Sequence, residues 1–501
     1  MFSLLSICCA LALNTPAAPT EPEDTIHYSI SMESSAAWGD ARTPLWLNAN
    51  KYGMSSLEQY NGLVRAQVHQ DLTAHSEKNW DLAWGIDLAG AKNFTSTFLV
   101  QQAYLKLRWL NGTLTIGSKE EPMQLKPQEL SSGSQTFGIN ARPVPQVRLA
   151  LDDYLNIFRN SHWLAIKGHV SYGFMTDGSW QKSFTQEKSR YAEDVLYHSK
   201  AGYLRFGNPE KPFTFEAGLE MACEFGGKSI NNGNVRKESL GLRGFFDAMF
   251  MTGKGPGETT SVGGYGNTVG SWVARANLNY PEWYLGLYFD HYFEDHSGMF
   301  LLDYNGYGTG DEWNVKKENK WVHYKLKDML LGAEFKLKNG TWLKDIVVEY
   351  LYTKYQSGDT YHDHTAEDPS HIGGKDEYYN HGFYAGWQHW GQAIGNPLYA
   401  SPIYNQDHRL LFKNNRFVAW HLGVSGQILP QLGYRLLFSA LTDGLGTYTY
   451  NPLPAPVSNC SLMTELNYTR QDWKLSLRYG QDNGELLGHN RGVQLSVTFK
   501  K

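Results

Sequence analysis

Apolar and polar residues alternate strictly along much of the chain. Val493, Leu495, Val497 and Phe499 alternate with Gln494, Ser496 and Thr498. Trp473, Leu475, Leu477 and Tyr479 alternate with Lys474, Ser476 and Arg478. The same period of two covers 64–68, 213–221 and 272–280. Successive side chains of a strand point to opposite faces, so each run predicts a strand with one apolar and one polar face. Alternation alone leaves open whether the apolar face meets a core or lipid.

Connection lengths narrow that choice. The second half predicts strands at 272–280, 283–293, 329–337, 346–355, 417–428, 432–440, 461–468, 473–479 and 493–499. The connections 281–282, 338–345, 429–431 and 469–472 are short, whereas 294–328, 356–416, 441–460 and 480–492 are longer. Short turns at one rim and long loops at the other are the rhythm of an outer-membrane barrel. The first half predicts strands at 28–37, 62–72, 80–90, 99–110, 113–118, 144–151, 162–175, 198–206 and 213–223, with Asn111-Gly112 as a hairpin turn. Tyr280 and Trp283 flank one short turn and Tyr468 and Trp473 another, as interfacial girdles do. The expected fold is all-β: a transmembrane outer-membrane antiparallel β-barrel of about 18 strands over 28–499. Its long extracellular loops would fold into the mouth.

Composition sharpens this picture. The chain has 501 residues, 14% aromatic and 19% charged. Beyond the N-terminus no apolar run approaches the ~18 residues of a transmembrane helix, which excludes a helical membrane protein. A net charge of −5 gives no general basic footprint for nucleic acid. Residues Phe2 to Leu13 are apolar and precede Asn14-Thr15-Pro16-Ala17-Ala18, which predicts a signal peptide over 1–18 and a linker over 19–27, although a positive leading segment is missing. Ile7 before Cys8 fits a lipoprotein site poorly. Cys223 and Cys460 are too few to staple a chain of this length and read as structurally incidental.

Three segments carry a resemblance. They are TPLWLNANKYG (43–53), SSGSQTFGINARPVPQVR (131–148) and GGKDEYYNHGFYAGWQHWGQAIGNPL (373–398). With their Asn-Ala-Arg-Pro-x-Pro core (Asn140 to Pro145), these resemble the capsule assembly Wzi family of outer-membrane proteins, particularly its Bacteroidetes-type members. The resemblance implies an eighteen-stranded barrel that holds capsular or other surface polysaccharide in a lectin-like, non-enzymatic manner. Two terminal lysines, Lys500 and Lys501, and the uncharged signal start depart from what such a barrel would show.

The loop 356–416 holds the candidate glycan-binding residues Trp387, Trp390, Tyr378, Tyr379 and Asp376, and segment 119–143 adds Arg142. Aromatic faces suit sugar C–H faces, and a guanidinium suits an acidic sugar. The structural alternative is that the aromatics fold the loop onto itself as a plug and that Arg142 pairs with a lumenal carboxylate. His362, His364, His371, His381, His389 and His408 lie in the same loop, but no spacing among them is a diagnostic zinc pattern. No metal and no cofactor is therefore expected. Lumenal charges, including Arg65, Asp87, Lys106, Glu216, Arg275, Glu334, Lys336, Arg435, Glu465 and Arg478, have mixed signs and read as internal pairs rather than a selective pore. No nucleophile or nucleotide motif is present, although carboxylates such as Glu367, Asp376 and Glu377 could serve glycoside hydrolysis. The sequence thus predicts a monomeric polysaccharide-binding barrel in outer-membrane lipid of a Gram-negative cell. A channel for small solutes or oligosaccharides and a glycan-processing enzyme stand as alternatives.

Overall fold

The computed structural model describes residues 25–501, apart from 41, 74–78, 159–160, 239–240, 253–264 and most of 295–327 and 357–375. The signal peptide expected at 1–18, and with it His364 and Glu367, lies outside the described residues.

Eighteen strands form one closed antiparallel sheet. In chain order they are β1 (Ile26–Gly39), β2 (Tyr60–Gln70), β3 (Trp80–Lys92), β4 (Phe98–Trp109), β5 (Gly112–Ser118) and β6 (Gln146–Phe158). Then come β7 (Ser161–Phe174), β8 (Leu196–Phe206), β9 (Phe213–Phe225), β10 (Asn267–Asn279), β11 (Trp283–Glu294) and β12 (Met329–Leu337). The last six are β13 (Asp345–Tyr352), β14 (Val418–Leu429), β15 (Leu432–Gly446), β16 (Pro452–Arg470), β17 (Trp473–Gly484) and β18 (Asn490–Lys500). Each pairs with its chain neighbour, and β1 closes on β18 from Ser29↔Lys500 to Gly39↔Asn490. Closure satisfies every strand edge, the condition for spanning lipid with strands.

All eighteen expected strands are present, and the boundaries that moved have local causes. Sequence alternation stops β6 near 151, but the strand runs on to Phe158 through register shifts at Leu151/Leu155 and Asn156/Phe158. The irregularity breaks the period of two around Asp152 and Asp153. The hairpin of β15 and β16 continues past the apolar alternation, with Gly444 opposite Val457 and Gly446 opposite Pro452, so the expected loop 441–460 shrinks to 447–451. β5 has only 7 residues, and its ladder to β6 runs from Thr113↔Ala150 to Gly117↔Gln146 alone.

The outer face is apolar. Ile30, Met32, Val64, Ile86, Leu105, Leu149, Leu287, Leu466 and Leu477 are all exposed on it. Trp80, Trp109, Trp163, Trp342 and Trp473 ring the short-turn rim, and Tyr60 and Phe98 stand toward the other. Exposed apolar belts bounded by aromatics match a hydrocarbon slab between two interfaces. The core lies inside the long-loop half, where 42–59, 119–145 and 376–417 enter the lumen. Leu45, Trp46, Leu47, Leu130, Ile394, Phe412 and Phe417 pack there into one buried cluster.

Candidate functional site: the lumen and its plug

The three motif segments meet at the centre of this plug. Tyr52 and Gly53 donate their N–H groups to the carbonyls of Ile139 and Asn140 at 2.7 and 2.8 Å. Gly138 donates to Ile394 at 3.0 Å, and the Asn140 side chain donates to the Ala393 carbonyl at 3.1 Å. A Cβ on Gly138 would lie 2.6 Å from the Gly395 carbonyl oxygen, so this approach requires glycine.

Buried carboxylates on the wall hold these loops by their backbone N–H groups. Glu349 on β13 accepts from Ser132 N–H at 2.8 Å and Ser131 Oγ at 2.6 Å. Asp290 on β11 accepts from Gln135 N–H at 2.9 Å and pairs with Lys126 Nζ at 2.9 Å, both side chains being at most 1% exposed. Glu294 accepts from Tyr379 N–H at 2.7 Å, and Asp482 from Leu45 N–H at 3.0 Å. Without these loops each buried acceptor would lose those donors, so these are firm tethers.

The six candidate binding residues separate into three places. Trp387, Tyr378 and Tyr379 are fully buried in the plug. Trp387 donates Nε1–H to the Thr136 carbonyl at 3.1 Å, and Tyr379 stacks on Tyr399 at 4.1 Å between ring centres. Their faces are occupied by protein, as in the plug alternative. Trp390 is half-buried nearer the surface, with the Arg142 guanidinium 4.3 Å from its ring centre. Burial lowers Arg142 to about 10, and it stacks on an indole where the sequence suggested a lumenal carboxylate. Asp376 is half-buried at the outer edge, next to Glu377, which accepts from Tyr448 N–H at 3.2 Å. No surface gathers all six. Among the described residues, no group of three or more His, Cys, Asp or Glu could hold a metal ion.

The lumenal charges pair as expected, but the pairs do not balance evenly around the wall. Arg65 bonds Asp87 at 2.9 Å, and Arg435 and Arg478 each reach Glu465 at 2.7 Å. Among the residues lining two open cavities, cations outnumber carboxylates. A cavity of about 320 Å³ under the plug is lined by Lys106, Lys119, Arg142, Arg148 and Lys167 against Glu121 and Asp152. Asp152 is already bound by Lys106 at 2.7 Å and Arg148 at 3.0 Å. A second cavity of about 640 Å³ reaches the short-turn rim at Asn279 and Lys338. Its cations are Lys126, Lys167, Arg205, Lys211, Arg275, Lys336 and Lys338, against Glu216 and Glu334. Lys167 lines both cavities. Lys167 and Arg205 both lie over the Tyr154 ring at 4.6 Å. Phe137, Gly138 and Ile394 of the plug bound the upper cavity. The sequence reading missed Arg148, Lys167 and Arg205, and with them the cation excess of the two cavities.

No family model and no curated protein matches the chain. Solved structures similar to it include Pseudomonas aeruginosa OprD, 10% identical with a TM-score of 0.46, covering 96% of this chain and 95% of that one. Pseudomonas aeruginosa OpdL is 10% identical with a TM-score of 0.47, covering 96% and 99%. Acinetobacter baumannii OccAB4 is 9% identical with a TM-score of 0.45, covering 96% and 99%. At such identities the likeness extends to the barrel alone. These neighbours are OprD/Occ outer-membrane channels, and they correct the resemblance to the capsule assembly Wzi family. The polysaccharide-holding role inferred from that resemblance is withdrawn with it.

Proposed function

We propose that this chain is a non-enzymatic outer-membrane channel for small acidic solutes, gated by its own loops. It would act as a monomer in a Gram-negative outer membrane, with the long-loop rim at the cell surface. The observation that carries the reading is the pair of cation-lined cavities joined at Lys167. Excess positive charge between low-dielectric walls attracts anions and raises their local concentration. Volumes of about 320 and 640 Å³ suit small molecules rather than polymers. The plug closes the path on the long-loop side, so passage requires Phe137, Gly138 and Ile394 to move.

Planar-bilayer recording of the full-length protein tests this. In a salt gradient the reversal potential should report anion preference, and Lys167→Gln with Arg205→Gln should reduce it. Cation preference, or an unchanged reversal potential in the double variant, would overturn the proposal.

A further inference from the structure

Four residues that parity places on the outer face of the barrel are not exposed there. Tyr197, Ser199, Tyr203 and Arg205 line the lumenal cavities, so on β8 alternation turns His198 and Lys200 outward. On β9, Thr214 and Glu216 line the lumen, so Cys223 and Phe225 face out. Yet His198, Cys223 and Phe225 are 1%, 1% and 0% exposed, and Lys200 is half-buried.

What covers them is helix α1 (Leu242–Phe250). Ala248 packs with Cys223, Phe225 and Tyr265, and Phe245 sits edge-on to Phe225 at 5.4 Å. Outward-facing Tyr172 of β7 donates its hydroxyl to the Phe245 carbonyl at 2.8 Å. Lys200 donates its ammonium to the Met249 carbonyl in the last turn, where a cation complements the helix dipole. The helix therefore lies against the outside of the barrel, near the long-loop rim, and a lysine on a lipid-facing strand face serves as its clasp.

The opposite side of the helix is apolar as well. Leu242, Phe246 and Phe250, spaced four apart along one stripe, are 84%, 64% and 64% exposed. The stripe continues the barrel's exposed belt at Phe174, Leu204 and Phe215. Arg243 and Asp247 pair at 3.5 Å beside it, as polar groups on an interfacial helix do.

We infer that α1 is an interfacial helix seated in the acyl-chain region of the leaflet at the long-loop rim, with lipid as the partner of Leu242, Phe246 and Phe250. The inference rests on the outer-membrane reading. The test uses full-length protein carrying Cys460→Ser, reconstituted in vesicles of phosphatidylcholine with brominated acyl chains. A bimane label is placed in turn at Phe246→Cys, Phe250→Cys, the belt position Leu204→Cys and the exposed loop position Lys188→Cys. Bromolipid quenching at 246 and 250 should reach at least half that at 204, while 188 is quenched only by aqueous iodide. Labels at 246 and 250 that behave like 188 would overturn the inference and leave the membrane reading intact. A label at 204 free of bromolipid quenching would overturn both. A heat-dependent gel shift checks that each variant is folded, and the two helix positions give independent readings.

Discussion

Lys126 and Asp290 form the tether best suited to testing whether the plug is a gate. Their 2.9 Å ion pair joins the loop 119–145 to β11 with both side chains at most 1% exposed. Lys126→Met keeps the stem and removes the charge. Asp290 then retains Gln135 N–H at 2.9 Å and Ser134 Oγ at 3.2 Å, but loses its counter-ion. Breaking a buried pair costs about 3–5 kcal/mol, because a charge is left uncompensated. The two surviving hydrogen bonds favour the lower end, about 3 kcal/mol. Because the loop can leave the site and rehydrate the carboxylate, this energy acts on the closed state alone. At 1.36 kcal/mol per tenfold, the open-to-closed ratio should rise roughly a hundredfold. Single-channel recording reads that ratio as open probability, and protease cleavage within 119–145 reads it independently. Asp290→Asn should open the plug too. The double variant should cost about 2 kcal/mol less than the sum of the singles, since neither charge is then left alone. An open probability unchanged in Lys126→Met, or strict additivity in the cycle, would refute the argument.

Other perturbations address the plug from different sides. Gly138→Ala forces a methyl against the Gly395 and Ile394 carbonyls and should destabilise the plug by about 1–3 kcal/mol, read as a lower denaturant midpoint for protease resistance of 119–145. Trp387→Ala removes a fully buried indole and should cost about 3–5 kcal/mol in near-ultraviolet circular dichroism melts, with the barrel's far-ultraviolet signal retained. Burial, aided by the charges of Arg190 and Arg236, lowers His381 to about 3 from its ordinary 6.5. The folded plug thus binds fewer protons than the released loop: its stability is full above pH 6.5 and falls as pH drops toward 3. At pH 5 the loss is at most about 2 kcal/mol, and His389, lowered by burial, adds to it in the same direction. Protease cleavage of 376–416 should accordingly rise between pH 7 and pH 5, and His381→Asn should flatten the profile.

The barrel was legible because its physics is local. Period-two alternation such as Val493 to Phe499 sets a strand, and turn length sets which rim each connection joins. Strand order then follows chain order, with no long-range inference needed. The cation excess of the two cavities was not legible by the same logic. Summing lumenal signs strand by strand across β4 to β12 sets Glu220, Glu224, Asp290 and Glu294 against Arg148, Lys167 and Arg205, and only the folded structure leaves those four carboxylates buried and out of the cavity linings. Where the aromatics of 373–398 face was not legible. Tyr379 is buried because Glu294, 85 positions earlier, accepts its N–H, and Trp387 because Thr136 accepts its indole N–H. Such contacts join distant loops and leave no period in the sequence. The outward helix over Cys223 was equally hidden, since a nine-residue amphipathic stretch does not declare which wall it covers.

The short fifth strand sets where the wall is weakest under load. Resistance to unzipping grows with the number of backbone hydrogen bonds that must break together, each worth about 1 kcal/mol net. The closing pair β1–β18 is bonded from Ser29 to Gly39, whereas β5 holds β6 only between Thr113 and Gly117. The junction of the chain's two ends is therefore not the fragile one. A barrel pulled sideways by force would tear first between β5 and β6, and the loop 119–145 that links those two strands would be drawn out of the lumen as the tear widened.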